Sequence, residues 1–248
     1  MRSHAKDGSL NETMILQSLN KHFYKELDGN WKRHMKRMFK NITDDDYIFA
    51  NYYEFKDAKP DIEIIVKKRK ILLSIKSGHA PAVHNEPIYT FFQFLRSFDV
   101  PERIINIIAF YHYGFSLKKN APFHVYTHAE LITKYSKYIQ EVNDYFLNRK
   151  EVVREMIYRF VLRGRLERDI ADYLYYGNSA KGFLLSPTDI MNLILNDENR
   201  ECKSLCFCAF VYISTARNPK NKRRHQTKIY WPILCKYYYD KNFMERYG

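Results

Sequence analysis

Residues 60–78 read PDIEIIVKKRKILLSIKSG. Two short apolar runs, Ile62–Val66 and Ile71–Ile75, flank a basic tetrad, Lys67–Lys70. Runs of this length, rich in Ile, Val and Leu, predict one strand each rather than a helix. The tetrad then forms the turn of a hairpin, although it lacks the Asn-Gly or Asp-Gly pair that marks the strongest turns. Side chains alternate along a strand, so Asp61 and Glu63 share one face, and Ser74 and Lys76 share one face. Pairing around the tetrad lets an acid lie beside Ser74 and Lys76. An acid and a lysine at the ends of adjacent buried strands serve packing poorly, so chemistry is sought here first.

Composition bounds what that chemistry can be. The chain has 248 residues, enough for one large domain or a core with a small lobe. Its 46% hydrophobic and 16% aromatic content supports a full core and argues against disorder. Glycine is scarce, and no Gly-x4-Gly-Lys-Ser/Thr loop is present, so no nucleotide cofactor is expected. No apolar run approaches the roughly 18–20 residues of a membrane span, and MRSHAKDGSLNET has no apolar signal core. The expectation is a soluble, cytoplasmic protein without a membrane partner. The net charge of +13, from 41 Lys and Arg against 28 Asp and Glu, favours a polyanionic partner through phosphate neutralisation and counterion release. Cys202, Cys206, Cys208 and Cys235 lack the two-plus-two spacing of a zinc site and are expected as buried thiols, without disulfides.

Before the hairpin, residues 8–27 predict a helix capped by Ser9 or Asn11, with Glu12, Leu16, Leu19 and Phe23 on one stripe. Glu12 can be a first-turn acid favoured by the helix dipole, or a carboxylate turned inward towards a metal. Residues 31–40 predict a short basic helix, and 46–53 a strand. After the hairpin, helices are expected over about 86–98, from Pro101 to Tyr113, and over 127–147 and 148–163. The pattern then changes to strands at 170–176 and 182–185, a helix from Ser186 to about Leu195, and strand-like runs at 204–215 and 229–239. A soft boundary near residues 148–165 divides a core, 1–150, from a C-terminal lobe, 151–248.

Phosphodiester hydrolysis needs a divalent metal held by oxygen ligands, an activated water, and a cation that offsets charge in the transition state. Asp61 and Lys76 supply parts of that set. Pro60-Asp61 followed by Ser74-Ile75-Lys76 resembles the motif of the PD-(D/E)XK nuclease superfamily, and of type II restriction endonucleases within it. The resemblance covers the first half of the chain well and the second half loosely. It implies an α/β fold with a restriction-endonuclease-like core, a central mixed β-sheet flanked by helices, and here additional strands in the C-terminal half. It also implies Mg²⁺, with Mn²⁺ as the alternative ion, held by Asp61 and a second acid while Lys76 orients water. The chain departs from the motif at Ser74, where that second acid is expected. Some members of the superfamily carry Ser-x-Lys and move a glutamate onto the following helix, which points to Glu86. Glu63 is a rival because it shares a strand face with Asp61, and Glu12 is a third candidate on the preceding helix.

Residues 217–228, RNPKNKRRHQTK, are the most basic segment and contain no acid. Between two strands such a loop can enter a groove of nucleic acid. Arg217, Lys222, Arg223, Arg224 and Lys228 suit phosphate, and Asn218, Arg223, Arg224 and Gln226 suit base edges. The expected partner is double-stranded DNA. Cutting both strands favours a homodimer, by symmetry between protein and duplex. The rival expectation is a nucleic-acid-binding protein that kept the fold without full metal ligation.

Overall fold

The computed structural model describes residues 4–55, 58–77, 81–115, 124–164, 169–197, 202–216 and 221–248. Contacts group the chain into two compact units that interleave in sequence. The first comprises Met1–Pro81, Ile157–Met191 and Ile233–Gly248, and the second Ala82–Met156 and Asn192–Pro232.

The first unit is built around the expected hairpin. Strands β3 (Ile62–Val66) and β4 (Arg69–Lys76) pair antiparallel, with Ile62 opposite Leu73 and Val66 opposite Arg69. The turn is therefore only Lys67–Lys68, and Arg69 and Lys70 already belong to β4. Strand β2 (Tyr47–Tyr52) and the two-residue β1 (His22–Phe23) extend the sheet on one side, and β6 (Tyr173–Gly177) and β7 (Gly182–Leu185) on the other. The order is β1-β2-β3-β4-β6-β7, and only β4 and β6 run parallel. β4 is bonded along both edges, by β3 and β6, and successive residues Leu72 to Ile75, which point to alternate faces, are all buried, so both faces of the strand are covered. One face of the sheet packs Ile48, Ala50, Ile62, Ile64, Leu73 and Ile75 against α1 (His4–Leu19) and α2 (Gly29–Met38). Ile15 and Leu19 contribute from α1, and Trp31, Met35 and Met38 from α2.

The helix expected over 8–27 stops at Leu19. Lys21 takes φ +64°, and the reversal lets His22 and Phe23 pair with Ile48 and Tyr47. Ser9 and Asn11 are consequently inside the helix rather than at its cap. The strand-like run at 229–239 is also corrected. Trp231-Pro232 follows β10 (Gln226–Tyr230), proline cannot donate to a ladder, and the chain continues as α9 (Ile233–Tyr237) and α10 (Lys241–Tyr247).

The second unit holds a four-stranded antiparallel sheet in the order β5-β10-β9-β8, with β5 at Ala82–Pro87, β8 at Cys206–Phe207 and β9 at Phe210–Ser214. Its helices are α3 (Ile88–Ser97), α4 (Glu102–Tyr113), α5 (His128–Lys134) and α6 (Ser136–Asn148). The chain passes from one unit to the other within α7 (Lys150–Ile157) and α8 (Pro187–Leu195). The long strand expected at 204–215 is a hairpin, because Cys208 at φ +50° turns the chain between Phe207 and its partner Phe210. Cys202 and Cys206 are joined by a disulfide, which corrects the expectation of free thiols; Cys208 and Cys235 are free. Among the described residues, no helix is long and apolar enough to cross a membrane.

Candidate active site

The hairpin brings Asp61, Ser74 and Lys76 to one end of the first unit's sheet. The Asp61 N–H donates to the Leu73 carbonyl at 2.9 Å, and the Tyr53 N–H donates to the Asp61 carbonyl at 3.0 Å. These bonds hold the backbone on both sides, so the side chain is aimed rather than free. Its Oδ2 accepts from the Ile75 N–H at 2.5 Å and has Ser74 Oγ and Lys76 Nζ each at 3.5 Å. Lys76 Nζ also donates to the Ile75 carbonyl at 2.8 Å. The Asp61 and Lys76 side chains keep 22% and 20% of their exposure, so solvent reaches both while their charges stay only partly screened. Among the described residues, no hydrogen bond ends on Asp61 Oδ1. Ser74 is fully buried and brings no charge.

Glu12 on α1 feels the same pair. Burial first and repulsion from Asp61 second, against an opposing pull from Lys76, together raise its carboxyl from 4.5 to about 7. Helix α1 is tied down on either side of Glu12. Asn11 Nδ2 donates to the Gly177 carbonyl at 2.9 Å, and Thr13 Oγ1 lies 2.5 Å from the Tyr52 hydroxyl. Neither residue stands out in the sequence as a support of the site: Asn11 reads there as a helix cap, and Thr13 is marked only by its place beside Glu12.

The other glutamates are engaged elsewhere. Glu63 lies 3.5 Å from Lys70 Nζ and accepts from Asn51 Nδ2 at 3.5 Å. Glu86 falls on β5 rather than at the start of a helix, which begins at Ile88. It belongs to the second unit, where its fully buried carboxylate lies 3.1 Å from His84 Nε2.

Whether a divalent cation suits this site is a question of donor chemistry. Among the described residues, no group of three or more His, Cys, Asp or Glu is arranged to hold a metal. The site does offer oxygen donors of the kind Mg²⁺ takes: Asp61 Oδ1, the Glu12 carboxylate and the Ile75 carbonyl. Glu12 is held partly protonated by burial and by a like charge. A cation between the two carboxylates would relieve both causes. The residues therefore fit a metal that keeps several of its own waters.

Of the basic segment, residues 221–228 are described. Arg217 and Asn218 lie outside the described residues. Lys222 and Arg223 are exposed and Arg224 is half-buried, while Gln226 and Lys228 belong to β10. The backbone here is held by side chains that the sequence does not single out. Fully buried His112 on α4 bonds the Arg224 carbonyl through Nε2 at 2.9 Å and the Tyr212 hydroxyl through Nδ1 at 2.7 Å. Thr215 Oγ1 is 2.7 Å from the Arg223 carbonyl and 2.6 Å from that of Gln226. Among the described residues, no carboxylate pairs with Lys222, Arg223, Arg224 or Lys228.

A mixed α/β architecture, with a curled mixed sheet flanked by helices, matches a restriction-endonuclease-like fold. Among solved structures, restriction endonuclease MspI in complex with its cognate DNA is similar to this chain. The match covers 90% of this chain and 88% of that one, with a TM-score of 0.57 and 13% sequence identity. At that identity the likeness is one of fold. No family model matches the chain. No curated protein matches it.

Proposed function

We propose that the chain is a Mg²⁺-dependent endonuclease that hydrolyses phosphodiester bonds of double-stranded DNA, like a type II restriction endonuclease. The observation that carries this is the Asp61–Lys76 pair at one end of the hairpin, with the Glu12 carboxyl near enough to feel both charges. Asp61 and Glu12 would hold the metal, and Mn²⁺ would serve in place of Mg²⁺. When bound, the metal supplies Lewis-acid polarisation of the phosphoryl oxygen and a water of lowered pKa. Lys76 keeps a cation beside that water and offsets charge that builds on phosphorus. Ser74 takes the place of a ligand but supplies none, and Glu12 makes good the missing charge. Glu63 and Glu86 remain with Lys70 and His84.

The fold likeness to a restriction endonuclease solved with DNA, together with the net charge of +13, supports DNA as partner. Lys222, Arg223, Arg224, Gln226 and Lys228 would make phosphate and base contacts from the β9–β10 connection, continuing into Arg217 and Asn218. Cleavage of both strands would be performed by a homodimer in the cytoplasm.

The neutral, buried Ser74 favours a second reading, a DNA-binding protein without catalysis. One experiment separates the two. Supercoiled plasmid is incubated with Mg²⁺ and wild-type protein, Asp61→Ala or Lys76→Ala, with duplex binding measured in parallel in EDTA. The nuclease reading expects cleavage by the wild type, a loss of at least about 100-fold in each variant, and binding retained. Wild-type binding with no metal-dependent cleavage leaves the second reading.

A further inference from the structure

The other end of the same hairpin carries charge that the candidate site does not use. Lys67 and Lys68 form the turn and Arg69 opens β4. With Phe39, Lys40 and Asn41, which follow α2, they line a cavity of about 480 Å³. Its cations are Lys40, Lys67, Lys68 and Arg69, and its one lining carboxylate is Asp46. Asp46 lies 2.9 Å from Lys67 Nζ, and it also accepts from the Thr43 N–H at 2.8 Å. Among the described residues, no carboxylate pairs with Lys40, Lys68 or Arg69. The Arg69 guanidinium lies 5.7 Å from the Phe39 ring centroid, which limits the positions it can take at the cavity wall.

The backbone adds a second observation. Lys67 takes φ +55°, a conformation that favours glycine and strains a residue with a Cβ. A turn that only reversed the chain would be served better by glycine or asparagine. Lysine there places an extra cation at the cavity lip at the expense of the turn.

We propose that this cavity is a phosphate-contact site for the backbone of duplex DNA, separate from the Asp61 end. The proposal rests on the reading of the chain as a DNA-binding protein. Asp61 and Lys67 flank β3 and lie six residues apart, roughly 20 Å at the usual rise. That span is about six base pairs of duplex. A duplex engaged at both ends of the hairpin would be held in register by contacts that carry no sequence information.

The test measures duplex binding against salt by fluorescence anisotropy in EDTA, on DNA of about two helical turns. The tip variant is Lys67→Gly with Lys68→Ser and Arg69→Gln. A control variant removes equal charge from exposed positions elsewhere, by Lys137→Gln, Arg154→Gln and Lys241→Gln. Each phosphate contact contributes about 0.9 to the slope of log K against log salt. The proposal expects the tip variant to lose about 2 to 3 from that slope, and the control less than about 1. Lys67→Gly alone relieves the strained turn, so it should hold or raise Tm while losing about 1 from the slope; it carries the test should the triple variant fold poorly. Equal losses in tip and control variants would overturn the proposal and leave DNA binding intact. No binding by the wild type would overturn the reading on which the proposal rests.

Discussion

His34 is buried on α2 between the rings of Trp31 and Tyr175, at centroid distances of 5.7 and 5.3 Å. The Gly182 backbone is near enough to favour the charged form slightly, but it makes no well-formed hydrogen bond to either ring nitrogen. Burial, then the charges of Arg37 and Arg33, push its imidazole from 6.5 down to about 4. The folded chain therefore holds His34 neutral where the unfolded chain takes up a proton. The stability tied to this is full above pH 6.5 and is lost as pH falls towards about 4, to a limit on the order of 3 kcal/mol. His34→Phe should remove that part of the pH dependence, read as a smaller drop in urea unfolding free energy between pH 7 and 5 than the wild type shows. An unchanged drop would place the proton elsewhere. At this scale Asp61 and Lys76 were legible in sequence because residue type and alternation set them together. Glu12 stands in the sequence as the third of three candidate acids, and its nearness to Asp61 and Lys76 is not legible there, because those charges lie on elements distant in the chain.

The β6–β7 hairpin supports the site from across the sheet. Gly177 takes φ +151°, and a Cβ there would meet the Lys181 carbonyl oxygen at 2.3 Å and the Gly182 Cα at 2.4 Å. Both are backbone atoms and cannot swing aside. Gly177→Ala should cost about 1–3 kcal/mol, seen as a lower urea midpoint. Because the Gly177 carbonyl anchors Asn11, the same change should lower cleavage beyond the loss of folded protein. A midpoint equal to wild type would contradict the clash. Elements are legible where apolar runs match strand length, as in β3, β4 and β7, and where a proline opens an apolar helical stretch, as Pro101 does before α4. They were missed where the backbone reverses at a residue that gives no glycine signal, at Lys21 and Cys208. Strand β5, AVHNEP, was also missed. It pairs only with β10, more than a hundred residues away, and its His84 and Glu86 face each other in the unit's interior.

For the whole molecule, charge is the property that sequence states outright, and its placement is what folding adds. The net charge of +13 should make duplex binding weaken steeply with salt. Arg223→Gln, at an exposed residue whose carbonyl but not side chain is tied to Thr215, should lower the salt slope by about 1 and leave Tm unchanged. A slope equal to wild type would remove Arg223 from the DNA contacts. The interleaving of the two units had no sequence signal, because no linker or composition shift marks where the chain leaves one and enters the other.

The central claim is that Glu12 supplies the carboxylate missing at Ser74. The most direct measurement is Mg²⁺-dependent plasmid cleavage by Glu12→Gln and by Glu12→Gln with Ser74→Asp, at equal folded concentration. Glu12→Gln should lose at least about 100-fold, and Ser74→Asp, beside Asp61, should restore part of the rate. Wild-type cleavage retained by Glu12→Gln would contradict it.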